Sequence, residues 1–143
     1  IPDYAESARR ATADLPNVEV RTAGLSDRTG EAEIVLLGEG TSLHRREDAP
    51  TVAIRLERAA DVLAGLGAEV ALLALNVEGE EYPILEDLVR SGTIGTVRTL
   101  LVQFHRIAPD SESRYARLAA ELARTHALAW RYPFVWERWD RRA

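Results

Sequence analysis

The chain has 143 residues, 46% of them hydrophobic, which is enough to build the core of one domain. Its 18 basic residues are scattered among 23 acidic residues, so no basic stripe is present for nucleic-acid binding. The absence of cysteine excludes disulfides, thiolate metal sites and a cysteine nucleophile.

The N-terminal half of the sequence predicts one helix followed by short strands. The chain opens at Ile1 without a methionine or an apolar leader, so we expect a piece of a longer protein. The predicted elements are a helix over 3–15, strands over 18–23, 32–37 and 52–56, and a helix over 59–66. The segment from Gly38 to Pro50 has no consistent period, which predicts a surface loop of the kind that often covers sites.

The C-terminal half predicts alternating strands and helices. The run from Val70 to Leu75 is almost entirely apolar, which is typical of a strand buried on both faces in a parallel sheet. The later predicted elements are a helix with Ile84, Leu85, Leu88 and Val89, a strand over 97–104, a helix beginning near Asp110, and paired edge strands within 128–139. This alternation predicts an α/β fold.

Polar side chains follow the predicted strands where ligands bind in parallel sheets, outside the carboxyl ends of the strands. They are Ser26 and Asp27, then Asn76 and Glu78, and finally Gln103 and His105. Glu78 either faces a crevice with Asn76 or simply stabilises the positive end of the following helix. His105 is either a structural histidine or a group that orients or deprotonates an acceptor hydroxyl.

The other conspicuous residues carry no assignment. His44 lies in the polar loop, and His126 is predicted to be a cation near the C-terminus of a helix. Glu80 and Glu81 are predicted to form a solvated first helical turn rather than a metal site. The aromatic tail, Trp130, Tyr132, Phe134, Trp136 and Trp139, is predicted to pack at the edge of the core rather than stack on a ligand.

The segment Leu75-Asn76-Val77-Glu78-Gly79-Glu80-Glu81-Tyr82, followed by Ile84-Leu85, resembles the FkbM methyltransferase family, in which a strand ends in an acidic or amide residue before Glu-Gly. Further segments match the same family in order and spacing. They are Pro16 to Val20, Leu25-Ser26-Asp27, Gly30-Glu31-Ala32, Val102 to His105, Thr125-His126 and Tyr132 to Glu137. The resemblance covers essentially the whole chain.

This resemblance implies a class I methyltransferase-like (Rossmann-like) fold with a mostly parallel sheet and S-adenosylmethionine as the methyl donor. The implied acceptor is a hydroxyl of a sugar or small natural product. Ser26, Asp27 and Asn76 would bind the cofactor, and Asn76, Glu78 and His105 would line the space between donor and acceptor. Gln103 and Tyr82 would contact the acceptor.

Two departures from the family pattern qualify this interpretation. The first is that Ala74 stands where many relatives carry lysine, and Asn76 where they carry aspartate. Because an amide cannot act as a base, His105 or Glu78 becomes the candidate base. The first strand of the family and its glycine-rich turn have no counterpart here. We therefore interpret residues 1–143 as a single partial methyltransferase domain.

Two functional hypotheses follow from the sequence. The first is methyl transfer, completed by a separate N-terminal segment. The second is a non-catalytic binding or assembly module that self-associates through exposed strand edges, as a homo-oligomer. No apolar run approaches the ~20 residues that span a bilayer, so we expect no membrane partner and a soluble, cytoplasmic protein.

Overall fold

A computed structural model describes residues 1–35 and 51–143. In chain order its elements are α1 (Pro2–Ala11), β1 (Gly24–Ser26), β2 (Gly30–Val35), β3 (Thr51–Arg58), α2 (Ala59–Gly65), β4 (Val70–Leu75), α3 (Glu81–Arg90), a 3-10 helix (Thr93–Thr96), β5 (Val97–Val102), α4 (Ser111–Leu122), β6 (His126–Tyr132) and β7 (Trp136–Arg141). The loop predicted for Gly38 to Pro50, which contains His44, lies outside the described residues.

The strands form two mixed sheets. In the first, with strand order β1-β3-β2, β1 runs parallel and β2 antiparallel to β3. In the second, with order β4-β5-β7-β6, only β4 and β5 are parallel, and both pairs involving β7 are antiparallel. The chain is therefore a mixed α/β protein, and the prediction of a mostly parallel, class I methyltransferase-like sheet is wrong.

Connection length explains the mixture of strand directions. A crossover helix, α3, separates β4 from β5 and allows them to run parallel. Only a short turn over residues 133–135 separates β6 from β7, and so short a connection allows only an antiparallel pair. The predicted pairing of the tail is confirmed, although of these two strands β6 lies at an edge of the sheet and β7 lies inside it, between β5 and β6.

One face of the second sheet packs against α3 and α4 and forms the main core. Leu85 and Leu88 are spaced so that both lie on the inward side of α3. Leu118 and Leu122 lie on the inward side of α4 for the same reason. They pack in one cluster with Leu75, Leu100, Val102, Phe104 and Trp139 from the strands and the segment after β5. Burial of each leucine side chain is worth about 2–3 kcal/mol, so this face stabilises the positions of the strand ends.

The opposite face of the second sheet is exposed to solvent. Strand register places Leu72 and Ala74 on this face of β4, and Trp130 and Tyr132 on the same face of β6. Leu72 is 54% exposed, Trp130 41% and Tyr132 67%. The prediction that β4 is buried on both faces is therefore wrong, because helices cover only one of them.

An ion-pair cluster around the buried carboxylate of Asp87 joins the two halves of the chain. The Asp87 carboxylate, in α3, accepts hydrogen bonds from Nε and Nη2 of Arg58 at 2.8 and 2.9 Å and from Nη2 of Arg90 at 2.6 Å. The hydrogen bonds from Arg58 hold the pKa of Asp87 below its usual value. Because Arg58 ends β3, this cluster fixes the first sheet against α3.

The predicted strand over 18–23 is replaced by a shorter strand that begins at Gly24. A Cβ at this position would lie 3.1 and 3.2 Å from the side chains of Leu56 and Ile54, so glycine permits the close approach of β1 to β3. The alternating segment before it lies outside the sheet, where Val18 is exposed. Among the described residues no helix has the length and apolar character needed to cross a membrane.

Candidate functional site

The candidate site lies where β4 and β5 end side by side. Because these strands are parallel, their carboxyl ends meet at one edge of the sheet. The amide of Gln103 donates to the carbonyl of Leu75 at 2.9 Å and extends the pairing one residue past the end of β5. The turn over 76–80 and the segment over 103–105 are therefore neighbours, as the sequence predicted.

Glu78 has an unusual backbone conformation in this turn. Its φ is +49° and that of the following Gly79 is +110°, so both residues lie in the region that favours glycine. A non-glycine residue in this region costs about 1–3 kcal/mol, which the surrounding structure must offset. The turn brings Glu78 Oε1 to 3.4 Å from Nε2 of His105, in an ion-pair geometry.

Glu81 lies directly beneath this pair and is completely buried. Its Oε2 accepts a hydrogen bond from the Gly79 amide at 2.8 Å. Its Oε1 accepts one from the His105 amide at 2.6 Å and lies 3.1 Å from His105 Nδ1. The prediction of a solvated Glu81 is therefore wrong.

A sequence signal for the burial of Glu81 was present. Glu81 precedes Leu85 by four residues and Leu88 by seven, so all three share the inward face of one helix. A carboxylate on an apolar helical face must find donors, because its desolvation is otherwise costly. The acidic run 78–81 in the sequence obscured this pattern.

Tyr82 supports the same segment from inside the core. Its hydroxyl donates to the carbonyl of His105 at 3.0 Å, and its ring packs on Phe104 with centroids 5.4 Å apart. Burial, with a smaller contribution from the charge of Glu81, raises the pKa of Tyr82 to about 12. The side chain is fully buried, and its predicted contact with an acceptor stays a prediction.

The end of β1 joins the site through Glu80. The Ser26 hydroxyl is buried and lies 3.1 Å from carboxylate oxygens of both Asp27 and Glu80. Asp27 is partly exposed and forms an ion pair with Arg28 at 3.1 Å. The structure thus connects the predicted cofactor residues Ser26 and Asp27 to the turn that carries Glu78.

Asn76 and Gln103 offer polar groups at the surface of the site. Asn76 is exposed and Gln103 is half-buried. Within the described residues neither side chain takes part in a hydrogen bond. Both amides are therefore available to an incoming molecule, because they have no competing partner in the described part of the chain.

A surface cleft beside β3 and α2 contains none of the predicted site residues. It has a volume of about 440 Å³ and is lined by Arg21, Glu57, Arg58 and Asp61, among others. Arg21 pairs with Glu57 at 2.7 Å, and Arg58 is held by Asp61 and Asp87. Its charges already have partners, so we favour the strand-end site on chemical grounds.

No metal site is found in the part of the chain that the structure describes: histidine and acidic residues form no group of three or more placed to hold an ion. The carboxylates of Glu78 and Glu81 instead flank the imidazole of His105 on its two nitrogens. This arrangement is suited to holding and moving a proton.

His126 is a structural residue. It is fully buried at the start of β6, with Nε2 3.0 Å from the carbonyl of Val97 and Nδ1 2.9 Å from the hydroxyl of Thr125. We assign the ring proton to Nε2, since a carbonyl can only accept. Burial lowers the pKa of His126, which disfavours the charged ring, and the residue begins β6 instead of lying at the end of a helix as the sequence predicted.

The aromatic tail divides between core and surface. Trp139 is buried and donates from Nε1 to Oε2 of Glu137 at 3.0 Å, and Tyr115 donates to the same oxygen at 3.1 Å. Burial raises the pKa of Glu137. The predicted packing is confirmed for Trp139 and wrong for Trp130 and Tyr132, because the face that carries those two is uncovered.

Comparison of the chain with protein-family models, with curated proteins and with solved structures gives no match. The resemblance to the FkbM family therefore rests on the sequence motifs alone.

Proposed function

We propose that this chain carries the acceptor side of a site for S-adenosylmethionine-dependent O-methyl transfer. The observation that supports this most is the pairing of Glu78 with His105 at the shared end of β4 and β5. Glu78 reaches His105 only because the turn adopts a backbone conformation that L-residues rarely take. Such conformations concentrate at functional sites.

The residues available for the cofactor fit this role in part. Asp27 and Asn76 present a partly exposed carboxylate and an exposed amide, which suit the hydroxyl and amino groups of a nucleoside. Ser26 is buried against Glu80 and Asp27, so it would act by holding Asp27 in place. When bound, the cofactor supplies a methyl group activated on a sulfonium.

His105 is the group best placed to accept a proton from an acceptor hydroxyl. One nitrogen, Nδ1, faces the buried Glu81, and the other, Nε2, faces the partly exposed Glu78. Nε2 would accept the proton of an acceptor hydroxyl while the hydroxyl oxygen takes the methyl group, the methyl–sulfur bond breaks and the sulfonium leaves as a neutral thioether. Glu78 would accept a hydrogen bond from a second hydroxyl of the acceptor, or it would stabilise the imidazolium that forms when His105 takes the proton.

Gln103 and Asn76 would orient the acceptor. Their amides each provide donors and an acceptor, a combination that matches the adjacent hydroxyls of a sugar or small natural product. Methyl transfer gains mostly from positioning, so two orienting amides beside one base are sufficient chemistry for this reaction. The expected cytoplasmic location stays a prediction.

A methyl-transfer assay tests this proposal directly. The chain, alone and with an upstream segment that supplies a glycine-rich turn, is incubated with methyl-labelled S-adenosylmethionine and a panel of sugar and small-molecule hydroxyl acceptors. We expect transfer that His105→Gln and Glu78→Gln each reduce on the order of 10²-fold or more. Glu112→Gln, which removes an exposed carboxylate from α4, is the matched control and should leave transfer unchanged.

Transfer that persists at the original rate in both His105→Gln and Glu78→Gln would contradict the assignment of these residues. The absence of transfer from every version of the chain would contradict the reaction itself.

The uncovered face of the second sheet favours a second candidate function, that of a non-catalytic binding or assembly module. Leu72, Trp130 and Tyr132 expose large apolar groups on one face, which marks interaction surfaces in many proteins. In this case sedimentation should show concentration-dependent self-association that Leu72→Glu abolishes. Leu66→Glu, at a similarly exposed leucine directly after α2, should have no effect.

A further inference from the structure

Glu81 is a buried acid whose surroundings the sequence did not predict. It is the first residue of α3 and has no exposed surface. An isolated buried carboxylate is strongly disfavoured, so its donors define its role. Those donors are backbone amides from two separate segments, Gly79 in the turn after β4 and His105 after β5.

Each oxygen of Glu81 holds a different part of the candidate site. Oε2 accepts from the amide of Gly79, the residue that directly follows Glu78, at 2.8 Å. Oε1 accepts from the amide of His105 at 2.6 Å and faces Nδ1 of the same residue at 3.1 Å. One carboxylate therefore fixes the turn that carries Glu78 and the backbone and ring of His105.

This geometry also favours one nitrogen of His105 as the carrier of the ring proton. Oε1 of Glu81 lies 3.1 Å from Nδ1, closer than the 3.4 Å between Oε1 of Glu78 and Nε2, so in the neutral ring Nδ1 is the nitrogen that donates. The neutral ring then has its proton on Nδ1 and its lone pair on Nε2. Nε2 is the nitrogen on the side of Glu78, where an acceptor hydroxyl would enter.

We infer that Glu81 is a positioning residue that sets the separation of Glu78 and His105 and directs the basic nitrogen of His105 toward the acceptor. Its part in the reaction rests on the proposed function, whereas the proton position on the ring does not. A purely structural acid would stabilise the fold without dictating the tautomer of His105.

The experiment is long-range ¹H–¹⁵N NMR of the histidine rings, at a pH where the ring of His105 is neutral. His105→Gln assigns the signal. Wild type should show the proton on Nδ1 of His105. Glu81→Gln should shift at least half of the molecules to the form with the proton on Nε2, because one accepting oxygen becomes an NH2 group, and an NH2 group that faces Nδ1 can only donate to it.

Glu112→Gln is the matched control, since Glu112 occupies the first turn of α4 as Glu81 does in α3. It should leave the ring signals of His105 unchanged. If methyl transfer is observed, Glu81→Gln should lower kcat on the order of 10²-fold and change KM by less than about threefold. Glu81→Asp, which keeps the charge but is one methylene shorter, should restore part of the Nδ1 form.

A wild-type ring with its proton on Nε2 would overturn the inference, and this result does not depend on any variant folding. A folded Glu81→Gln variant that keeps the wild-type tautomer would also overturn it. If S-adenosylhomocysteine fails to bind even with the upstream segment supplied, while the proton stays on Nδ1, the proposed function fails and the positioning role of Glu81 is upheld.

Discussion

Tyr82→Phe removes one buried hydrogen bond from beneath the candidate site. The Tyr82 hydroxyl donates to the carbonyl of His105 at 3.0 Å, and the side chain has no exposed surface. Loss of a buried hydrogen bond that leaves its partner unsatisfied costs about 1–3 kcal/mol. For a chain of this length each kcal/mol corresponds to about 4 °C in Tm, so we expect a decrease of about 4–12 °C at pH 8.

The same substitution changes the alkaline pH dependence of stability. The pKa of Tyr82 is raised from 10.0 to about 12 in the folded state. Between these values the unfolded chain loses the phenol proton and the folded chain retains it, so wild-type stability falls as pH rises. At about 1.4 kcal/mol per pH unit, wild type loses about 1.4 kcal/mol more than Tyr82→Phe between pH 8 and pH 11.

Urea denaturation of both proteins from pH 8 to pH 11 measures these two effects. Tyr132→Phe is the matched control, because Tyr132 is 67% exposed, and it should change the free energy of unfolding by less than about 0.5 kcal/mol. Two results would refute the reasoning. They are a Tyr82→Phe variant as stable as wild type at pH 8, and a stability difference that stays constant up to pH 11.

Three further predictions follow from buried groups. Burial raises the pKa of Glu137, so its contribution to stability is fully present below its ordinary value of 4.5 and is lost as pH rises through the raised value. Glu137→Gln should therefore flatten this part of the pH dependence in urea denaturation, and an unchanged profile would contradict the assignment. Burial lowers the pKa of His126, so the contribution of this residue to stability is fully present above pH 6.5 and is lost as pH falls toward the lowered pKa. An NMR titration should place the midpoint of His126 below pH 6.5, and a midpoint above pH 6.5 would exclude the buried neutral ring. Leu88→Ala should cost about 2–5 kcal/mol of unfolding free energy and Leu66→Ala less than about 0.5 kcal/mol, and equal effects would contradict the assigned core.

The sequence was most informative where one local pattern determined the structure. The apolar run of β4 appears at its predicted bounds, because a continuous hydrophobic segment flanked by turn residues has few alternatives. The helices α2 and α4 also lie close to their predicted positions. Long-range pairing was less predictable, since the direction of β2 and β7 depends on partners distant in the chain.

The candidate site was partly predictable for the same reason. Ligand-binding groups lie at the carboxyl ends of parallel strands, and this rule predicted that Glu78 and His105 belong to one site. The two residues are neighbours in the structure because β4 and β5 are parallel. The role of Glu81 depends on a turn with two positive φ values, which the Glu78-Gly79 sequence permits but does not require. The exposure of Leu72 likewise depends on what covers the sheet, which no local pattern encodes.

The most direct test of the proposed function is a titration with S-adenosylhomocysteine of the chain supplied with the upstream glycine-rich segment. The titration is followed by the backbone NMR signals of the turn 76–80 and of the segment 103–105. The account predicts saturable shifts in both segments, centred on Asn76, Glu78 and His105, with signals from the cleft beside α2 unchanged. Saturable shifts confined to that cleft, or no shifts even with the upstream segment supplied, would contradict it.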